Sequence, residues 1–411
     1  MKIVDDLAVL NRDQRATFIA SVLGWTLDAF DFFLMMFVLR AIAADFKVLV
    51  VDVAFSITLT LAFRPLGALF FGWLAELYGR RPLLMINVLL FSFFELASAF
   101  APSLTVFLIL RALFGFAMGG EWGIGASLVM ETIPAQSRGT VSGILQQGYP
   151  LGYLLASVVY GLFFDAIGWR GMFIIGVAPA ILVFFIRFSV KESPVWEQRR
   201  QRQEKPRLAA AFWRHRHQFL YVILLMTAFN FFSHGTQDLY PTFLQGKPGF
   251  TTHIVSAILI VMNLGAIVGG ITFGYYSQIV GRRRAIVIAA LLALPVIPLW
   301  AFSTTPLLLG LGAFLIQVAV QGAWGVIPAH LNELSPGELR GTFPGLAYQL
   351  GNLLAASNAT LQTVIAKSQG GSYSVALAVV VAFASLSIAG FALRGREARE
   401  TAFGIGETTP R

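Results

Sequence analysis

Four side chains that can bind an anion or exchange a proton fall within one short stretch of this sequence. Asn230, His234, Gln237 and Asp238 are separated by four, three and one residues. On a helix this spacing places them on one face, in a single stripe. The stretch belongs to an apolar run at 217–245, which is long enough to cross a bilayer. Because ionisable groups at membrane depth are costly, we expect the stripe to face a water-filled cavity rather than lipid.

Arg64 falls inside another apolar run, residues 51–77, where an unpaired guanidinium would be very costly. Its planar fork matches a carboxylate, so we expect it to pair with Asp28 or to hold the carboxylate of a ligand. Arg111 and Asp31 lie nearer the outer helix ends, and we expect these two to pair with each other. Neutral polar groups suited to orienting a small ligand occur in the fifth and eleventh apolar runs: Gln146, Gln147, Tyr149, Gln349 and Asn352.

Two pairs of residues can exchange a proton. His234 and Asp238 are one helical turn apart and can share a proton. Asp28 and Asp31 are also one turn apart, and their mutual repulsion favours protonation of one of them. We favour the first pair, because its imidazole, acid and neighbouring amides form one continuous face. Glu95, near an outer helix end, is expected to be structural.

The composition is that of a membrane protein. Hydrophobic residues make up 57% of the 411 residues, charged residues only 12%, and the mean hydropathy is +0.73. A soluble domain carries about twice this charged fraction. With about 20 apolar residues needed for each span, the sequence predicts an all-α membrane protein with twelve transmembrane helices. The twelve apolar runs are 17–40, 51–77, 82–101, 104–131, 139–164, 169–190, 217–245, 252–278, 285–303, 306–332, 342–366 and 373–393.

Basic residues predict the orientation of the chain. Most of the 30 Lys and Arg residues fall before the first run, after the last, in the polar gap at 191–216, or in every second loop. The positive-inside rule therefore places both termini and this gap in the cytoplasm. The sequence thus predicts a multi-pass protein of a cell membrane, such as the inner membrane of a bacterium. The net charge of +9 is explained by topology, so no nucleic-acid partner is expected.

The chain repeats itself at an offset of 202 residues, the difference between positions 72 and 274. The segment 72–81 recurs at 274–283, and the segment 131–140 recurs at 333–342. Trp122 and Trp324 also correspond, each flanked by glycines. The repeat predicts two parallel six-helix bundles, residues 1–190 and 217–411, joined by a cytoplasmic linker at 191–216.

The repeated segments resemble the gate motif of the major facilitator superfamily, and the resemblance covers nearly the whole chain. In that motif, glycines allow close approach of helix ends, and a carboxylate pairs with arginines to latch the inner gate. Gln278 stands where the second copy would need the acid, which argues against the same latch in the C-terminal half. The residues that match the motif are Gly72, Glu76, Gly79 and Arg80 in the first copy, and Gly274, Gly281 and Arg282 in the second.

Three further segments resemble particular branches of this superfamily. Arg111, followed by glycines at 115 and 119, resembles a fourth-helix motif of proton-driven members. Segments 28–33 and 119–122 resemble the sialate and metabolite:proton symporters. The stripe itself is similar to the signature of Jen-type monocarboxylate:proton symporters, which is matched at Asn230, Ser233, His234, Thr236, Gln237, Asp238 and Thr242.

These resemblances imply symport of a proton with a small monocarboxylate such as lactate, pyruvate, acetate or propionate. Side-chain chemistry together with these resemblances predicts Arg64, Asn230, His234, Gln237, Gln147, Gln349 and Asn352 as substrate-binding residues. In the same way, the proton-coupling residues are predicted to be Asp238, His234, Asp28, Asp31 and Arg111. We expect a monomer that uses no cofactor or metal besides the coupling proton. Alternatives are a sialate, other sugar-acid or dicarboxylate transporter, and a non-transporting receptor. An enzyme is disfavoured, since no hydrolytic constellation or phosphate-binding loop is present in the sequence.

Overall fold

The computed structural model of the chain describes residues 2–188, 190–202, 208–399, 401 and 403. Part of the predicted linker (203–207) and the end of the tail (404–411) lie outside the described residues. Every regular element in the described part is helical, which confirms the all-α fold class. Two short 3₁₀ turns, Ala135–Ser137 and Gly337–Leu339, occupy corresponding positions in the two copies of the repeat.

The α-helices follow one another with short connections. In chain order they are α1 (Lys2–Ala8), α2 (Arg12–Phe46), α3 (Val50–Tyr78), α4 (Arg80–Ala99), α5 (Leu104–Met118), α6 (Glu121–Thr132), α7 (Arg138–Gln146), α8 (Gly148–Phe188), α9 (Pro194–Gln201), α10 (Leu208–Arg214), α11 (Arg216–Gln237), α12 (Tyr240–Gln245), α13 (Thr252–Val280), α14 (Arg282–Phe302), α15 (Pro306–Leu334), α16 (Phe343–Ala355), α17 (Asn358–Ser368) and α18 (Tyr373–Arg394).

Helix boundaries follow from local chemistry. The side chain of Asn11 accepts from the backbone N–H of Gln14 at the start of α2, and Ser103 and Thr305 cap α5 and α15 in the same way. Gly79 and Gly281 end α3 and α13 at φ values of 106° and 97°. Only glycine adopts this backbone readily, so the next helix can begin at once in a new direction.

Ten helical segments in the described part of the chain are long and apolar enough to cross a membrane. Two predicted runs are not counted separately. The run 169–190 continues α8 beyond a kink at Gly168, and the run 342–366 is divided into α16 and α17. The number of twelve spans therefore stays a prediction.

The buried apolar residues form two large cores. One lies among α2, α4, α5 and α8 and contains Phe30, Phe91 and Phe107. The other lies among α11–α16 and α18, and it also contains Trp25 of α2 and Trp122 of α6, a helix that lies against α15 and α16. The division into residues 1–190, 191–216 and 217–411 stays a prediction.

The two ends of the bundle differ in how closely the halves approach. We call the end that carries α1, α9 and α10 the linker side, and the opposite end the open side. On the linker side α7 packs against α13, and α3 against α16. A Cβ added at Gly143 of α7 would lie 2.5 Å from the carbonyl oxygen of Gly270 on α13. The halves are therefore in backbone contact on the linker side, and the space between them widens toward the open side.

Candidate substrate and proton site

Two adjoining cavities lie between the halves. The inner cavity, of about 30 Å³, has room for a group of only a few atoms, and the outer cavity, of about 350 Å³, extends toward the open side. Helices from both halves line them. The residues common to both cavities are Phe32, Leu61, Tyr149, His234 and Gln321. Such a polar, stepped cleft at the interface of two bundles is where a small ligand can bind between the halves.

Arg64 lines the inner cavity and is almost completely buried. Its Nη2 donates to Asp28, at 3.1 Å from Oδ2 and 3.3 Å from Oδ1, and its Nε has no hydrogen-bond partner. The guanidinium also lies 5.4 Å from the ring centroid of Phe32. The ion pair with Asp28, one of the two partners predicted from the sequence, is confirmed. Because Arg64 keeps unused donor capacity beside the cavity, a ligand carboxylate can compete with Asp28 for it.

The stripe on α11 faces the two cavities, as its spacing predicts. Asn230 lines the inner cavity, His234 lines both, and Gln237 and Asp238 line the outer one. The Nδ1 atom of His234 is 3.2 Å from Oδ1 of Asp238, and its Nε2 is 3.0 Å from Oδ1 of Asn352. The side chains of His234 and Asp238 are 24% and 38% exposed. This pair is therefore positioned to exchange a proton with water entering from the open side.

The predicted pair of Asp31 with Arg111 is wrong. Arg111 donates instead to Oε2 of Glu95 at 2.6 Å and to Oγ of Ser98 at 3.1 Å. Asp31 and Arg111 lie at similar distances from the outer ends of their helices, which favours their pairing. The packing of α4 on α5 instead brings Glu95 to the guanidinium. The Oδ1 atom of Asp31 is buried without a hydrogen-bond partner. Neither Asp31 nor Arg111 is among the residues that line the two cavities.

The predicted amides divide into two groups. Asn352 lines the inner cavity, whereas Gln147 and Gln349 are buried and are not among the lining residues. Gln147 donates to the backbone oxygen of Gly143 at 2.7 Å, so its amide is used within its own helical turn. Its neighbour Gln146 lines the inner cavity instead, and its side-chain oxygen accepts from Nε1 of Trp122 at 3.4 Å.

An aromatic floor, formed by Trp25, Trp122, Trp324 and Tyr348, closes the inner cavity toward the linker side. The ring of Tyr348 lies 4.8 Å from that of Trp122 and 5.7 Å from that of Trp324, between centroids. Sequence reasoning missed Trp25 and Tyr348 as cavity residues. For Trp122 and Trp324, the repeated glycine-flanked motif was the available signal, since both copies meet at the interface of the halves.

The gate motif of the first copy bridges the halves on the linker side. Glu76 accepts from Arg80 at 3.1 Å and from Arg199 at 3.0 Å through Oε2, and from the backbone N–H of Gly341 at 2.6 Å through Oε1. Arg80 also donates to Glu131 at 3.2 Å. The contact between Glu76 and Gly341 joins α3 to the C-terminal half, so it holds the linker side closed.

The second copy forms the same latch with an amide in place of the acid. Gln278 accepts from the backbone N–H of Gly139 and from Arg282, both at 3.0 Å. Arg282 also makes a two-pronged ion pair with Glu333, with both N···O distances 2.9 Å. The expectation that Gln278 would weaken the latch is wrong, because an amide oxygen accepts a backbone N–H as a carboxylate does, and Glu333 supplies the charge.

A tail residue completes the closed linker side. The ring of Phe403 lies between the guanidinium groups of Arg138 and Arg340, 3.6 and 4.0 Å from its centroid. Arg138 also donates to the backbone oxygen of Thr401 at 2.7 Å. The two arginines occupy equivalent positions in the repeat and belong to opposite halves. Phe403 can therefore contact both only while the halves are together.

We expect Phe403→Ala to favour separation of the halves on the linker side. Loss of two cation–π contacts, each worth about 0.5–2 kcal/mol, is expected to increase the open population about fivefold or more. The chain contains no cysteine, so Ser142→Cys, at a fully buried position between α7 and α15, provides a single labelling site. Its rate of maleimide labelling should rise with Phe403→Ala and stay low with Phe403→Tyr, which keeps the ring. An equal rate in both variants would contradict the role of the ring.

Comparisons with known proteins agree with this architecture. A family model described as Major Facilitator Superfamily matches residues 21–357. The sialic acid transporter NanX of Escherichia coli (strain K12) is 29% identical over 395 residues, covering 94% of this chain and 96% of that protein. A carboxylic acid transporter protein homolog of Saccharomyces cerevisiae is 28% identical over 378 residues, covering 85% of this chain and 61% of its own length.

Among solved structures, the proton:xylose symporter XylE, bound to 6-bromo-6-deoxy-D-glucose, has the same fold. The TM-score is 0.76 at 18% sequence identity, with 94% of this chain and 98% of that chain covered. The described helices, the repeated gate motifs and the relatives agree on a multi-pass membrane protein. Since the family match extends over most of its length, this chain belongs to the Major Facilitator Superfamily.

Proposed function

We propose that the protein is a secondary transporter that carries a small monocarboxylate together with a proton. The observation that carries this proposal is the placement of Arg64, ion-paired to Asp28, in the same pair of cavities as His234 and Asp238. Arg64 can bind an anion, and the pair of His234 and Asp238 can hold a proton. A neutral pair of ligands avoids the cost of moving a net charge through the protein interior.

In this proposal Arg64 binds the carboxylate of the substrate. The inner cavity of about 30 Å³ accommodates only a head group, so the remainder of the ligand extends into the outer cavity. Exchange of Asp28 for the substrate keeps the guanidinium paired with an anion. Asn230 and Asn352 line the same cavity and can orient the bound carboxylate.

The proton is held by His234 and Asp238. Both side chains are reached from the open side, and their separation of 3.2 Å allows a proton to be shared. Asn352 ties the imidazole to α16, so a change of protonation at His234 can be transmitted to a helix that also contacts α3 in the other half.

Alternating access follows from the two ends of the bundle. The linker side is closed by the latches at Glu76 and Gln278, and the cavities extend toward the open side. We assign the linker side to the cytoplasm on the basis of its arginines, and propose a bacterial inner-membrane location. Opening toward the cytoplasm requires these latches to break while the open side closes.

A sugar acid such as sialate is the alternative substrate. It is favoured by the similarity to a sialic acid transporter over nearly the full length of both chains. The outer cavity of about 350 Å³ could accommodate a larger acid, whereas the inner cavity of about 30 Å³ favours a small one.

Uptake by proteoliposomes tests the proposal. We expect labelled lactate to accumulate when an inward proton gradient is imposed, and to fail to accumulate when an uncoupler collapses the gradient. Acetate, pyruvate and propionate should compete, whereas succinate and sialate should compete weakly. Strong competition by sialate alone would favour the alternative. Binding of lactate without any accumulation would indicate a receptor.

A further inference from the structure

Gln321 of α15 is a buried amide that lines both cavities and makes no hydrogen bond to the described residues. The residue is 2% exposed, and its Oε1 atom is enclosed without a partner. Buried polar groups in native proteins are almost always paired, because an unpaired one forfeits its hydration. An unpaired amide at a cavity wall therefore has its hydrogen-bonding capacity available for water or a ligand in the cavity.

The other amides that line these cavities are already bonded within the protein. Asn230 donates to the backbone oxygen of Met226 at 2.8 Å, and Gln237 donates to Gln317 at 3.2 Å. Asn352 is bonded to His234, Gln146 accepts from Trp122, and Asn263 donates to Leu259. Among the lining amides of the described residues, the full hydrogen-bonding capacity of Gln321 is left for a ligand.

The position of Gln321 defines which part of a ligand it meets. It lines the small inner cavity together with Arg64 and His234. Because this cavity is small, a carboxylate bound by Arg64 would lie close to Gln321, and the amide would meet the carboxylate or the atoms next to it. A primary amide presents a donor and an acceptor, and a hydroxyl can satisfy both with a single oxygen atom, since it donates and accepts. An unsubstituted aliphatic acid offers neither at that place.

We infer that Gln321 binds a hydroxyl group next to the substrate carboxylate, so that the preferred substrates are 2-hydroxymonocarboxylates. This inference rests on the proposed function and narrows its substrate class. A site built to hydrogen-bond a substrate hydroxyl discriminates against an analogue that lacks it, because the amide is then buried unpaired. Propionate differs from lactate by this hydroxyl alone and is the matched probe.

The test compares inhibition of labelled lactate uptake by unlabelled lactate and by propionate. In the unaltered protein we expect propionate to be about tenfold weaker than lactate. In Gln321→Leu, lactate should bind about tenfold more weakly, while propionate keeps or improves its affinity, so that the ratio approaches one. A merely structural role of Gln321 would weaken both acids equally.

Gln317→Leu is the control, since Gln317 is a buried amide one turn away on the same helix that is bonded to Thr236 and Gln237 and lines neither cavity. It should keep the ratio of the unaltered protein. Equal affinities for lactate and propionate in the unaltered protein would overturn the inference without any variant. An unchanged ratio of lactate to propionate affinity in Gln321→Leu would also overturn the inference. Proton-driven uptake of lactate in that experiment would still support the proposed function. No uptake of any monocarboxylate would instead refute the proposed function, and this inference with it.

Discussion

Arg64→Ala is expected to abolish carboxylate binding. Arg64 is the one arginine among the described residues that line the two cavities, and its guanidinium is buried beside Asp28. Removing one member of a buried, charged hydrogen-bonded pair costs 2–5 kcal/mol or more, so affinity should fall by about 100-fold or more. Equilibrium binding of labelled lactate to the purified protein measures this directly.

Variants of Asp28, the partner of Arg64 in the ion pair, separate a loss of binding from a loss of stability. Arg64→Ala leaves Asp28 buried without its partner, which destabilises the fold unless Asp28 takes up a proton. The double variant Asp28→Ala with Arg64→Ala removes both charges, so it should recover thermal stability without recovering binding. Asp28→Asn removes the competitor of the substrate and should bind lactate at least as tightly as the unaltered protein.

Arg64→Lys separates charge from geometry. Lysine keeps the positive charge but lacks the planar fork, so a two-pronged contact with a carboxylate cannot form. We expect binding to remain lost. Normal transport by Arg64→Ala would refute the assignment and leave His234 as the anion site, because Arg111 is paired with Glu95 away from the cavities.

The second large effect concerns coupling. Asp238→Asn is expected to eliminate the alkalinisation of the outside medium that accompanies lactate entry, because the amide cannot accept a proton. Counterflow of lactate across equal concentrations should survive, since exchange requires no net proton movement. A pH electrode in a weakly buffered suspension of proteoliposomes, together with isotope counting, measures both processes in one preparation.

Two further variants locate the proton. His234→Ala should resemble Asp238→Asn, because the two side chains are joined at 3.2 Å. Asp31→Asn should retain proton movement, because Asp31 is a buried residue of α2 that does not line either cavity. If both His234→Ala and Asp238→Asn move protons normally, coupling belongs to Asp28 and Asp31 on α2.

Predictions from the sequence were correct where the position of a side chain depends on its own helix or on its own burial. The spacing along α11 placed Asn230, His234 and Asp238 toward a cavity, because side-chain direction on a helix depends only on position along the chain. The pairing of Arg64 with Asp28 was predictable for an energetic reason: a buried guanidinium needs an anion, and few acids lie at its depth.

Predictions that depended on neighbouring helices were less successful. Asp31 and Glu95 are both buried acids within reach of Arg111 by depth, and only the packing of α4 against α5 selects Glu95. Gln147 and Gln146 are adjacent in sequence, yet only Gln146 lines the cavity. The first choice depends on which helix packs against α5, and the second depends on the rotation of a helix about its axis by about one residue.

The sequence by itself determined the class of this protein. It is an apolar helical chain built from two copies of one unit, with most of its Lys and Arg residues on one side of the predicted membrane helices. It also determined which groups must avoid lipid, because charge and hydropathy act on each segment independently. Only the tertiary structure decided that Gln278 replaces an acid in the second latch, that Phe403 joins both halves, and that Gln321 is unpaired at the cavity. These are contacts between segments far apart in the chain, and they arise from how the two bundles pack against each other.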